Sequence, residues 1–178
     1  MSQTATTHAK AAAADEAGSL ADHAGKYLTF SLAKETYGIQ ILKVQEIIEM
    51  IDVTKVPRTP PFVKGVINLR GKVIPVVDLR LKFGMEGIEV SRQTCIIVVY
   101  VQCGDTRLTM GMMVDAVSEV LDIPGDSIAP PPDFGSQVDT AFLLGMAKSK
   151  DSVRMLLDID KVLSTRELTI VKAAGDMA

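Results

Sequence analysis

The sequence predicts an all-β protein built from two similar small halves. Three observations predict it. Short runs rich in Val and Ile are broken by Gly, Pro and Asp, the pattern of strands and tight turns. Turn signals recur about every 8–12 residues, as in small barrels or sandwiches. Anchor residues of the first half also return in order in the second. Each half offers about five strands, too few residues for a robust core of its own. The halves are therefore expected to pack closely, sharing segments or a core, and to unfold together.

The chain opens on an Ala- and Thr-rich stretch, residues 1–25, with little apolar patterning beyond Leu20. It reads as a mobile tail. His8 and His23, the two histidines, both fall in it, which argues against His-based chemistry in the folded part. Order is expected from Lys26. Leu28, Phe30 and Leu32 alternate with polar residues, Ala33–Thr36 turns the chain, and Tyr37, Ile39 and Ile41 alternate on the return. Val44–Ile51 reads as a short helical turn leading into an extended segment.

The most informative stretch is Val56–Arg80. Pro57, Pro60 and Pro61 forbid continuous helix. Val63–Leu69 and Val73–Val77 then form a hairpin about Arg70-Gly71-Lys72, with Gly71 supplying permissive backbone. Asp78 is placed to cap one helical turn, Leu79–Phe83, which Gly84 ends.

From Thr94 the scheme restarts. Cys95–Val101 and Leu108–Val114 read as a strand pair joined at Gly104-Asp105, followed by Ala116–Ile123 and later Val153–Leu157. Val44-Gln-Glu46-Ile47 aligns with Val117-Ser-Glu119-Val120, and Phe62-Val-Lys-Gly65 with Phe142-Leu-Leu-Gly145. The spacing from Gly65 to Asp78 equals that from Gly145 to Asp158. The halves divide at about residues 26–90 and 91–158, within a folded region of 26–165. A helical segment, 159–178, follows: Ile159, Val162 and Leu163 share a face, and Ser164-x-x-Glu167 reads as a capping box.

Composition narrows the function. With 47% hydrophobic and 23% charged residues, the chain reads as soluble and globular. Its longest uncharged apolar run, Cys95–Val101, is far short of the ~20 residues a bilayer demands, and no secretory signal is evident. The net charge of −3 and the absence of Trp speak against nucleic-acid binding. Cys95 and Cys103 lie too far apart on one strand to bridge and match no zinc spacing.

No residue set suggests catalysis, a metal or a cofactor. Asp78 and Asp158 could be paired carboxylates, but each closes a strand where capping suffices. Glu46 and Glu119 lack an accompanying nucleophile or base, so a solvated or interface carboxylate is the plainer reading. Arg70 beside one Gly is a weak phosphate signal; it either meets a partner or makes an internal ion pair. Met110, Met112 and Met113 fit core filling or an adaptable contact surface. A small-ligand-binding barrel or an unrecognised hydrolase is the remaining alternative.

The stretches YGIQILKVQEII, TPPFVKGVINLRGKVIPVVDLRLKFG and VDAVSEVLDI closely resemble the CheW family of bacterial chemotaxis proteins, over about Lys26–Leu163. The resemblance implies two interlocked five-stranded β-barrels around a common core, with short helices and a C-terminal helix. It implies a non-catalytic cytoplasmic adaptor joining chemoreceptor tips to the histidine kinase CheA in membrane-associated arrays, or serving a non-flagellar pathway. Carried over by position, a receptor-binding groove would comprise Val44, Glu46, Ile47, Gly65, Cys95, Val117 and Val120. Asn68, Arg70 and Gly71 would form a signalling turn. The Ser149–Ser152 turn lacks this motif, so no duplicate role is expected there.

Overall fold

In a computed structural model, residues 23–131, 141–149 and 151–176 are described. The expected tail lies mostly outside them. Strands β1 (Gly25–Leu32) and β2 (Glu35–Gln40) form a hairpin, and a 3-10 turn, Ile41–Lys43, leads into β3 (Val44–Glu49). β4 (Val63–Leu69) and β5 (Lys72–Asp78) precede helix α1 (Leu79–Lys82). β6 (Cys95–Cys103), β7 (Thr106–Val114) and β8 (Ala116–Ile123) follow, then the two-residue β9 (Ile128–Ala129). β10 (Leu143–Lys148), β11 (Val153–Leu157) and helix α2 (Thr165–Asp176) complete the chain.

The predicted hairpin is present. Arg70 and Gly71 both have positive φ, 52° and 84°, the left-handed pair of a two-residue turn that suits twisted strands. The Asn68 side-chain oxygen accepts from the Gly71 N–H at 2.8 Å, tying the turn. The buried Asp78 carboxylate accepts from the Arg80 and Leu81 N–H groups, so it is a helix cap. Asp158 closes a turn instead, accepting from the Asp160 N–H at 3.1 Å. The final helix starts at Thr165, later than expected. Ser164 and Glu167 make the reciprocal capping box there, while Ile159, Val162 and Leu163 pack into the core from the preceding turn.

The halves are interlocked by exchange. One sheet has the order β3-β6-β7-β5-β4 and the other β8-β1-β2-β11-β10-β9. Hairpin β6–β7 from the second half thus sits among first-half strands, and β1–β2 among second-half strands. The expected division near residue 90 does not separate the barrels. Each exchange combines an antiparallel pairing, β3–β6 or β1–β8, with a parallel one that sets Val76 opposite Gly111 or Leu156 opposite Gly38. Both glycines sit in tight packing: a Cβ on Gly111 would lie 2.6 Å from the Ile96 side chain of β6, and one on Gly38 3.1 Å from the end of the Leu156 side chain.

Both sheets curl until their edges meet. Thr54, just beyond β3, exchanges two 2.8 Å backbone hydrogen bonds with Val66 of β4, closing the first barrel. β9, reached from β8 through the 3-10 turn Gly125–Ser127, pairs with β10 and does the same in the second. The expected fifth strand count is met in the first half, and the second gains only this closing segment. The repeat extends to irregularities: an extra residue falls between Val44 and Glu46 in β3, and between Val117 and Val120 in β8.

Alternation along the strands then divides the apolar side chains into three groups. Ile67, Ile74, Val76, Ile96, Val98 and Met113 fill the first barrel; Tyr27, Ile123, Ile128 and Leu156 belong to the second. The largest group, including Phe30, Ile97, Val99, Met110 and Met112, joins the two. The three methionines are therefore core. Phe30, Tyr37, Phe83 and Phe142 stack in series at 5.9, 5.7 and 5.2 Å between centroids, linking both halves through the segment after α1.

Candidate protein-interaction site

Side chains opposite one another across antiparallel strands share a face, which sorts the candidate groove residues. Val44 and Ile47 of β3 oppose Val99 and Ile97, both in the shared core. Val117 and Val120 of β8 oppose Phe30 and Leu28, which belong to that same core. Thus four of the candidates occupy equivalent places on equivalent edge strands. Val44 and Val117 pack partly into the core, whereas Ile47 and Val120 are 44% and 49% exposed. Core-facing apolar residues left open to water are a signature of recognition surfaces.

Cys95 connects the two strands. It begins β6 of the first barrel, packs against the shared core, and hydrogen-bonds with the Val117 backbone. Burial pushes its thiol above the usual range, against that hydrogen bond. It is a protonated wall residue rather than a nucleophile.

Glu46 and Gly65 stand elsewhere. Glu46 opposes Val98, a first-barrel interior residue, so its side chain lies on the other face of β3. Gly65 is buried in the barrel-closing seam. Its φ is +142°, and a Cβ there would lie 2.0 Å from the Thr54 carbonyl oxygen. Gly65 permits close backbone approach and offers no groove surface.

Arg70 answers the question left open by sequence: it has an internal partner. Its terminal nitrogens donate to Glu46 Oε1 and Oε2 at 2.9 and 2.8 Å. The bond crosses from the β4–β5 tip to β3 at the opposite edge of the sheet, fastening the mouth of the closed barrel. The Arg70 side chain nonetheless stays 73% exposed, against 20% for Glu46. Glu119 has no equivalent pair among the described residues; its carbonyl and N–H engage the Thr29 hydroxyl.

Two polar clusters escaped the sequence reading. Arg80 donates twice to Asp115 at 2.6 Å, and Asp115 also accepts from the Ala33 N–H. Burial raises the Asp115 pKa, but these donors outweigh it and hold the carboxyl below its ordinary value. Lys82 on α1 donates to Glu167 on α2 at 2.6 Å. Burial likewise opposes, and Lys82 with Ser164 overcomes, leaving the Glu167 carboxyl low. No local motif marks either pair, because their members come together only in the fold. Leu42 was missed as well. It is 91% exposed on the turn before β3, and its place out of phase with Tyr37, Ile39 and Ile41 was the available signal.

A cleft of about 410 Å³ includes Phe83, Phe142 and Val162 beside Lys82 and Glu167, which already satisfy one another. No grouping of three or more potential metal ligands occurs among the described residues. Nor is any helix among them long and apolar enough to cross a membrane.

Two exchanged β-barrels around a shared core define a double-barrel, all-β class of protein. Residues 26–167 match the CheW-like domain model; the chain belongs to the CheW family of chemotaxis adaptors, which are non-catalytic. It is 40% identical over 146 residues to chemotaxis protein CheW of Klebsiella aerogenes, covering 82% of this chain and 86% of that one. It is 31% identical over 144 residues to protein FrzA of Myxococcus xanthus, covering 79% and 86%. Among solved structures, the scaffolding protein TtCheW of Thermoanaerobacter tengcongensis superposes with a TM-score of 0.71 at 40% identity, covering 81% of this chain and 95% of that one.

Proposed function

We propose that this chain is a cytoplasmic adaptor that couples chemoreceptor tips to CheA and lets receptors control the kinase. The carrying observation is the set of Val44, Ile47, Val117 and Val120 on equivalent strands around Cys95, with Ile47 and Val120 open to water. An apolar groove between strand edges suits the apolar face of a helical hairpin. Of the residues first assigned to it, Glu46 serves as a charged rim through Arg70, and Gly65 supports the wall from behind. The turn Asn68-Leu-Arg70-Gly71 presents a charged point beside this surface for signalling geometry. CheA's regulatory domain occupies another face of the first barrel.

Several weak contacts suffice in an array, because linkage within a lattice raises the effective concentration of each. The test is CheA autophosphorylation with receptor-bearing membranes, with and without this protein. Stimulation that attractant suppresses is expected. No effect with a matched receptor and kinase overturns the proposal.

A further inference from the structure

We propose that a second surface, the basic cleft between β5, β7 and α2, binds an acidic segment of a partner protein. The cleft measures about 230 Å³ and is lined by Lys72, Arg107 and Lys172 with one carboxylate, Asp176. None of its lining residues belongs to β3 or β8, and Lys72 follows directly on the Arg70-Gly71 turn. The three cations come from three elements: the first residue of β5, the start of β7 and the later part of α2. The fold rather than a local run of sequence therefore brings them together.

Most described lysines and arginines lack an ion-pair partner, and these three are set apart by lining one cleft together. Lys43, Arg70, Arg80 and Lys82 each hold a carboxylate at 2.8 Å or less. Lys72, Arg107 and Lys172 join no ion pair among the described residues. Arg107 instead lies over the Tyr100 ring at 4.7 Å, which steadies its guanidinium without neutralising it. In a chain of net charge −3, such a concentration of unpaired positive charge focuses the local field on anions.

The surrounding chemistry selects the anion. Pro75 and Leu108 supply apolar wall beside the cations, and Pro75 also packs against the α2 backbone, where a Cβ on Gly175 would lie 3.2 Å away. A peptide offers both carboxylates and apolar stems to such a wall. A lipid surface is the weaker fit, because a concave cleft presents few charges to a plane and the net negative molecule is repelled by an anionic bilayer. Rim pairs of this kind accelerate encounter and fix orientation.

The experiment titrates hexaglutamate into the full, isotope-labelled chain and follows backbone amide shifts. Expected are shifts concentrated at residues 72–75, 107–109 and 172–176, weakening strongly between about 0.05 and 0.2 M salt. The K72E/K172E variant should weaken binding about tenfold or more, the discrimination worth ~1.4 kcal/mol. The milder K72Q/K172Q variant, with amide shifts elsewhere unchanged, should weaken it severalfold and guards against misfolding. Shifts scattered over other lysines, or binding by both variants as tight as by the unsubstituted chain, overturn the proposal. So does binding to phosphatidylglycerol vesicles through these lysines with no response to the peptide, which would make the patch a membrane contact. Inorganic phosphate binding as tightly as the peptide would reduce the cleft to a simple anion site and also overturn it.

Discussion

Arg70 holds Glu46 through two hydrogen bonds across the mouth of the first barrel, although the two residues stand on strands at opposite edges of the sheet. The pair is mostly exposed on the arginine side, so its contribution to stability is small, about 0–1 kcal/mol. The more informative fact is that Arg70 adopts φ 52°, a conformation that costs an ordinary side chain about 1 kcal/mol or more. Arg70→Glu should lower the melting temperature by only a few degrees yet abolish kinase control. The swap Glu46→Arg with Arg70→Glu should recover control if the pair sets turn geometry. Control that remains lost in the swap would mean that the arginine itself meets a partner. Global unfolding of Arg70→Glu by circular dichroism would contradict both accounts.

Gly65 makes the opposite prediction. Any Cβ there invades the Thr54 carbonyl and breaks the two bonds that close the barrel. Gly65→Ala should cost about 2–4 kcal/mol in urea unfolding, from backbone strain and lost hydrogen bonds. Gly65→Asp should then lose receptor and CheA binding together. Gly71→Ala meets nothing within 4 Å, so only its positive φ resists, at about 1 kcal/mol. Equal stabilities for the two alanine variants would refute the close-approach role.

The contrast between these positions shows what sequence could convey. The Arg70-Gly71 turn, the Asp78 cap and the Ser164–Glu167 capping box were legible because each depends on neighbours within a few residues. The repeat was legible because Phe62, Gly65 and Asp78 return with the same spacing as Phe142, Gly145 and Asp158. Its structural basis is visible in the Phe62 and Phe142 carbonyls, which accept from the Asp78 and Asp158 N–H groups at 2.7 and 2.8 Å. Hairpin exchange was not legible, since apolar strands carry no label for their non-local partners. The same limit applies to Glu46: alternation cannot predict which face it takes beyond the extra residue in β3. Ile159–Leu163 carried helical spacing but served the shared core from a turn.

Acid should weaken the fold through Asp115 and Glu167. Both carboxyls are held below their ordinary values in the folded state. The unfolded chain therefore binds their protons more readily, and stability falls as pH falls wherever that difference operates. Their contribution is complete above the unfolded values, near pH 4 to 4.5 by ~model-peptide behaviour, and disappears as pH falls through the lower folded values. Asp115→Asn should thus be clearly less stable than wild type at neutral pH, with the gap closing in acid. A gap that is constant from pH 7 to about 3 would show that Arg80–Asp115 makes no pH-linked contribution.

Ile47 and Val120 test the groove with little structural penalty. Both are already close to half exposed, so Ile47→Asp and Val120→Asp should change stability by no more than about 1 kcal/mol. Each should reduce capture of a receptor cytoplasmic fragment at least about tenfold while CheA binding is retained. Equal loss of both partners, or unaltered receptor capture, would remove these strands from the receptor surface.

The exchanged hairpins make a prediction about folding itself. A fragment ending at residue 92 contains β3, β4 and β5 but lacks β6–β7, which sits between β3 and β5. Its β1–β2 hairpin likewise lacks both flanking strands, β8 and β11. Neither barrel can form from that half, and the shared core would be exposed. The fragments 1–92 and 93–178 should each show disordered amide spectra alone. Mixed or co-expressed, they should associate and recover the native spectrum, because every exchanged strand then finds its neighbours. A first-half fragment that folds cooperatively as a monomer would require β1–β2 to pair with β3–β5. That outcome would show that the sequence repeat can also build an unexchanged barrel.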